Sequence, residues 1–158
     1  MKMLEIIVPE AIIPSLQATT RDDAITEMVD ALVSAGAIDT SLRDEFIKSI
    51  IERESHASTG LGKGVAIPHV KHEQITELKA TVAISHSGVD FRSLDKQPVY
   101  TIFLLLSPQS RPEDHLNAMQ TIFGNLSQET FRRFLRQAKT TEDVMSLLQD
   151  ADEKLIGR

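Results

Sequence analysis

At 158 residues, 41% of them hydrophobic, the chain is sized for one domain with a real core. Seventeen basic residues stand against 23 acidic ones, a formal charge of −6. Lys and Arg form no block longer than Arg132-Arg133, so the electrostatic footprint of a nucleic-acid binder is missing. Cysteine is absent, which excludes disulfides, thiolate metal sites and a cysteine nucleophile.

The first helix is expected to open at Thr20, whose hydroxyl can cap the turn at Asp23; Ile25, Met28, Val29, Leu32 and Val33 share one face before Gly36 ends it. A second helix starts near Thr40 or Ser41, with Leu42, Phe46 and Ile50 spaced by four. Three residues further on, Arg53 falls in line with that apolar stripe, where a guanidinium needs an anionic partner or a way out to water. Residues 65–67 read as a short strand ended by Pro68, and residues 78–86 alternate as a half-buried strand. Residues 99–106 form a longer apolar run, read as a central strand covered on both faces and stopped by Ser107-Pro108. Between these two strands lies the turn-rich connection "SGVDFRSLDKQP".

Ser110 and Glu113 have capping-box spacing. They predict a helix that buries Leu116, Met119, Ile122, Phe123 and Leu126 and carries His115 just past its first turn. Helices over 128–138 (Phe131, Phe134, Leu135) and 141–150 (Val144, Leu147, Leu148) follow. Helices alternating with strands define a layered α/β or α+β class. The expectation is one globular domain over 1–158, with residues 152–158 as a loose tail. The apolar run from Ile102 to Leu106 is far short of the roughly 18 residues of a membrane span, and Glu5, Pro9 and Glu10 interrupt any N-terminal signal, so a cytoplasmic protein is expected.

The stretch "ASTGLGKGVAIPHVKH" asks for a different kind of explanation. It is not a P-loop: Ala57 stands where the first glycine should be, and Lys63 is followed by Gly64 instead of Ser or Thr. It is not a dinucleotide fingerprint, because Val65 replaces the third glycine and a helix precedes the loop. What remains is a helix carrying Arg53, a loop of Ser58, Thr59, Gly60, Gly62 and Gly64, a short strand, and Pro68-His69 at its end. A histidine with its ordinary pKa near 6.5 is largely neutral at neutral pH and offers a lone pair to phosphorus. Arg53, the three glycines, Ser58 and Thr59 are the available suppliers of charge and hydrogen bonds to a phosphoryl group.

The run from Arg53 to His69, "RESHASTGLGKGVAIPH", resembles the signature of the phosphotransferase-system enzyme IIA domains of the fructose, mannitol and nitrogen-regulatory class: R-E, a T-G-[IL]-G-x-G loop and A-[IV]-P-H. The second histidine, His115 in "EDHL", opens the helix after the long strand at the family's separation from His69. "SGVDFRSLDKQPVYTIFLLLSP" also looks like the family's passage into that strand. The resemblance implies a single-domain mixed sheet of about five strands flanked by helices. It implies that His69 takes a phosphoryl group from a histidine-containing, HPr-like phosphocarrier protein and passes it to a IIB component or holds it as a regulatory state. His115 would hydrogen-bond the phosphoryl oxygens or His69, and Arg53 would meet the developing charge. No cofactor, metal, nucleic acid or membrane insertion is implied. A standalone length of this size resembles the nitrogen-regulatory members more than fused sugar-specific ones. One position departs from the pattern: Val70 follows the active histidine where the family has Gly, Ala or Cys.

Blander roles compete for the same residues. Arg53 alone could be a C-terminal cation favoured by the helix dipole, and the glycines could be turn formers. His56 and His72 are assigned to solvent, and His86 to a satisfied core or rim position. Two other functions compete with a carrier: a phosphorylation-dependent regulatory binding protein, and a metal-dependent hydrolase using His69, His72 and Glu73. The hydrolase is disfavoured because no helix brings those ligands to one face.

Overall fold

The computed structural model describes residues 1–154, and it is organised around one strand. Val99–Pro108 (β4) sends Phe103 and Leu105 into one apolar core and Ile102, Leu104 and Leu106 into another on the opposite face. With both faces covered by helices, the strand needs no polar side, which is why its sequence is a continuous apolar run. Lys79–Val89 (β3) pairs antiparallel with β4, from Lys79 opposite Leu106 to Ile84 opposite Thr101. The register then shifts before Val89 meets Val99.

Along the other edge of β4 lie Val65–Ala66 (β1) and His69–His72 (β2), both parallel to it. Val65 stands opposite Thr101 and His69 opposite Leu105, the same register, so the two are one strand interrupted at Ile67-Pro68. Pro68 has no N–H, but its carbonyl still accepts from Leu105 N at 3.0 Å and holds the line. The proline thus interrupts the strand, where the sequence reading had it end one.

Among the described residues the sheet has four strands, not about five. The fifth row is filled by the N-terminal segment, which runs beside β3 through isolated parallel bridges, Ile7 to Ala80, Ile13 to Ala83 and Thr20 to Asp90. Pro9 and Pro14 break this segment, so it covers the edge without building a ladder.

On one face pack Arg21–Ser34 (α1) and Arg43–His56 (α2); on the other, Pro112–Leu126 (α3), Glu129–Gln137 (α4) and Thr141–Asp152 (α5). Thr20 caps α1 as expected, accepting from Asp23 N. The capping box expected at Ser110 and Glu113 is absent: Arg111 is the N-cap of α3 and Pro112 its first residue, a position that suits a residue without an N–H. The buried face of α3 is also rotated from the predicted one. His115, Ala118, Ile122 and Leu126 point inward, Met119 is half-buried, and Leu116 and Phe123 are 56% and 52% exposed. Phe134 of α4, expected in the core, is 40% exposed. Asp152 belongs to α5 and not to a tail, since its carboxylate accepts the N–H groups of Met3 and Leu4 at 2.7 and 2.9 Å. Glu153 caps that helix and Lys154 N donates to the carbonyl of Ala151 at 3.0 Å, whereas the rest of the proposed tail, 155–158, lies outside the described residues. Among the described residues no helix is long and apolar enough to cross a membrane.

Candidate functional site

The two cores fix where the chemistry sits. Side chains alternate along β2, so His69 faces α3, whereas His72 faces α2 on the other side. His69 meets His115 there, with ring centroids 5.2 Å apart and planes tilted by 54°.

Each ring is held by one nitrogen. His69 Nδ1 lies 3.0 Å from the carbonyl of Ile67. A carbonyl can only accept, so this nitrogen carries the proton and Nε2 keeps its lone pair. His115 Nδ1 lies 2.6 Å from the hydroxyl of Ser107, which is fully buried. With that hydroxyl donating, His115 carries its proton on Nε2. The pair then presents one acceptor nitrogen and one donor N–H.

Both rings are neutral at pH 7. Burial pushes His69 below its ordinary value, helped by the charges of Arg53 and Lys71 and opposed by the Ile67 hydrogen bond and by Glu54. His115 is only 8% exposed and is pushed down to about 4, first by burial and then by His69 and Lys71.

Arg53 lies in the last turn of α2, exposed, with Nη1 donating to the carbonyl of Ala57 at 2.8 Å. Together with Ser49, His69, Val70 and Lys71 it lines a cavity of about 310 Å³. Val70 turns its side chain into the α1/α2 core and is buried, so it does not stand in front of His69. His69 is therefore brought together with Arg53 in this cavity and with His115 ring to ring, and Lys71 joins them on the cavity wall.

The predicted glycine cradle is not. Thr59 N and its hydroxyl donate to Glu54 at 3.0 and 2.5 Å, and Gly60 N donates to Ser58 Oγ at 3.0 Å, so these donors are spent inside the loop. Gly60 packs against Ser93. Gly62 has φ +129° and Gly64 φ +74°, conformations that favour glycine. The carbonyl of Gly64 accepts from Tyr100 and Thr101, five extended residues from His69, roughly 16 Å at about 3.3 Å per residue. Ser58, Thr59, Gly60, Gly62 and Gly64 build the loop that supports the site, and none of the five lines the cavity.

Sequence reasoning also missed residues. Glu54, 2% exposed, is the inward-facing residue that follows Leu42, Phe46 and Ile50 at a spacing of four, and that spacing could have found it ahead of Arg53. In sequence Ser107 marks only the stop of a strand, with nothing to signal its hydrogen bond to His115. His72 is not a solvent residue: its ring packs edge-on to Phe46 at 4.8 Å, and its nitrogens meet Glu45 and the N–H of Gln74. His56 is exposed, and His86 sits at the rim bonded to the carbonyl of Pro14. His69 and His72 occupy opposite faces of β2, a placement that cannot bring both to one metal ion.

These features define a class: an α/β/α domain whose site pairs two uncharged imidazoles beside an arginine and a lysine. Residues 5–151 match the family model described as phosphoenolpyruvate-dependent sugar phosphotransferase system, EIIA 2, and the chain belongs to that family of phosphotransferase components. It is 33% identical to the fructose-specific EIIA component of Haloferax volcanii, over 85% of this chain and 86% of that one. It is 31% identical to a nitrogen regulatory protein of Bradyrhizobium diazoefficiens, over 94% and 95%. The fructose-specific EIIABC component of Bacillus subtilis is 29% identical over 97% of this chain, which spans only 24% of that longer protein. Among solved structures, the nitrogen regulatory protein IIA-Ntr of Neisseria meningitidis superposes with a TM-score of 0.82 at 27% identity, covering 91% of this chain and 97% of its own. The Escherichia coli mannitol IIA in complex with phosphorylated IIB shares the fold, with a TM-score of 0.73 at 19% identity over 89% and 94%.

Proposed function

We propose that the chain is a phosphocarrier that holds a phosphoryl group covalently on Nε2 of His69. The observation that carries this is the Ile67 carbonyl on Nδ1, which commits the proton to one nitrogen and leaves the other as a nucleophile in the cavity with Arg53 and Lys71. The Nε2 lone pair attacks phosphorus, the N–P bond to the imidazole of an HPr-like carrier protein breaks, and its electron pair returns to that carrier's nitrogen. The attacking His69 ring keeps its Nδ1 proton and becomes cationic once the new N–P bond forms, and the Ile67 carbonyl faces the resulting charge. Arg53 and Lys71 offset the charge on the phosphoryl oxygens, and the Nε2–H of His115 donates to one of them.

Onward transfer to a IIB component is suggested by the mannitol relative's complex. Use of the phosphorylated form as a regulatory state is suggested by the nitrogen regulatory relatives. A cytoplasmic location fits either use.

The experiment is incubation with a labelled phosphocarrier protein. An acid-labile, base-stable adduct is expected on the wild-type chain and none on His69→Ala. Label retained by His69→Ala would overturn the assignment.

A further inference from the structure

Glu54 is the charged residue that the proposed transfer does not use, yet it is almost completely buried. Among the described residues no cation pairs with it; its carboxylate is satisfied by the N–H and the hydroxyl of Thr59. A buried carboxylate needs such partners, and here the partners lead somewhere. The Thr59 hydroxyl donates to Glu54 and at the same time accepts the N–H of Ile67 at 3.2 Å.

Ile67 lies where the edge strand is interrupted. The carbonyls of Gly64 and Pro68 bond to β4, so with the alternation of the strand the N–H and carbonyl of Ile67 point away from the sheet. Among the described residues no strand lies beside that outer edge. Its N–H is taken by Thr59 and its carbonyl by His69 Nδ1. Two side chains thus stand in for a missing strand, and one of them is the phosphoryl acceptor.

We infer that Glu54 and Thr59 are positioning residues for His69, holding the Ile67 backbone so that its carbonyl accepts the hydrogen bond of Nδ1–H and leaves Nε2 free to attack. The carboxylate fixes the rotamer of Thr59, and the Thr59 hydroxyl fixes Ile67. Ile67 is kept extended from the other side by Pro68. The charge of Glu54 also favours the cationic ring that phosphorylation creates, in line with its upward pull on His69. This inference rests on the reading of His69 as the phosphoryl acceptor, but the tautomer can be read without any transfer.

The test is 15N NMR of the imidazole nitrogens at neutral pH, combined with the rate of phosphoryl acceptance. Wild-type His69 should be the Nδ1–H tautomer. Thr59→Val keeps the shape but removes the hydroxyl; it should shift His69 toward Nε2–H and slow acceptance by about tenfold, the scale of one net hydrogen bond. Thr59→Ser should restore both. Glu54→Gln, which retains volume, should move the tautomer in the same direction as Thr59→Val and serves if the valine variant does not fold. A wild-type ring protonated on Nε2 overturns the inference outright. So does an unchanged tautomer and rate in folded Thr59→Val or Glu54→Gln. A His69 of the expected tautomer that accepts no phosphoryl group would instead refute the functional reading and leave the positioning role standing.

Discussion

In the proposed transfer His69 has to be neutral to attack, and its surroundings keep it so. Burial is the largest influence, and the charges of Arg53 and Lys71 act in the same direction. The cost of gathering Arg53 and Lys71 is thus offset by keeping the nucleophile deprotonated. The rate of phosphoryl acceptance should therefore stay flat from pH 8 to below the usual imidazole value of about 6.5. Only at lower pH should it fall, approaching tenfold per unit as the ring takes its second proton. A single-turnover pH profile with a break above 7 would contradict this, since it would mean that the folded protein raises the pKa. His115 cannot supply such a break, because its own value is about 4.

The helices and strands were legible where one physical pattern governed them. The continuous apolar run of β4, the Thr20 cap of α1 and the Pro-His junction all follow from local chemistry. The face of α3 did not, because an apolar count cannot anticipate that a histidine will be drawn inward. Ser107 at the end of β4 gives His115 a partner, and fully buried Ala118 lets the helix approach the sheet. Leu116 and Phe123 are left outside as a consequence. The glycine loop differs from its expectation for the opposite reason: the donors of Thr59 and Gly60 look available in sequence and are engaged by Glu54 and Ser58 in space. Gly60 shows what the loop requires. A Cβ there would overlap Ser93 Oγ and come within 3.2 Å of Ser58 Oγ. Among the described residues Ser93 Oγ, itself buried, has no hydrogen-bond partner. Gly60→Ala should therefore destabilise by about 1–3 kcal/mol, as overpacking does. Ser93→Ala alone should be neutral or stabilising, because it removes an unpaired buried hydroxyl. The double variant should recover much of the loss, although Ser93 Cβ, 3.1 Å from the added methyl, keeps the recovery incomplete. Additive denaturant midpoints for the two substitutions would show that the clash is not the cause.

Two cores flank one sheet, and the site lies on β2, whose side chains alternate between the two faces, so the stability of the fold and the ionisation of the site are linked. In the unfolded chain both histidines titrate near their ordinary pKa of about 6.5. In the folded chain both values are depressed, that of His115 to about 4. Above pH 6.5 neither state binds the extra protons, and stability is at its full value. As the pH falls below 6.5 the unfolded chain takes them up first, so folding becomes less favourable until the folded histidines are protonated as well. For His115 the window runs from about 6.5 to about 4, and its share of the loss is about 1–3 kcal/mol. Denaturant titrations at pH 7.5, 6.0 and 5.0 should show stability falling monotonically across that window. In His115→Gln the fall should be shallower, because one of the two linked protons is gone while Ser107 still has a side chain to bond. A stability that rose on acidification between pH 7.5 and 5 would mean that the two rings gain protons on folding, and it would contradict both their burial and the neutral nucleophile on which transfer depends.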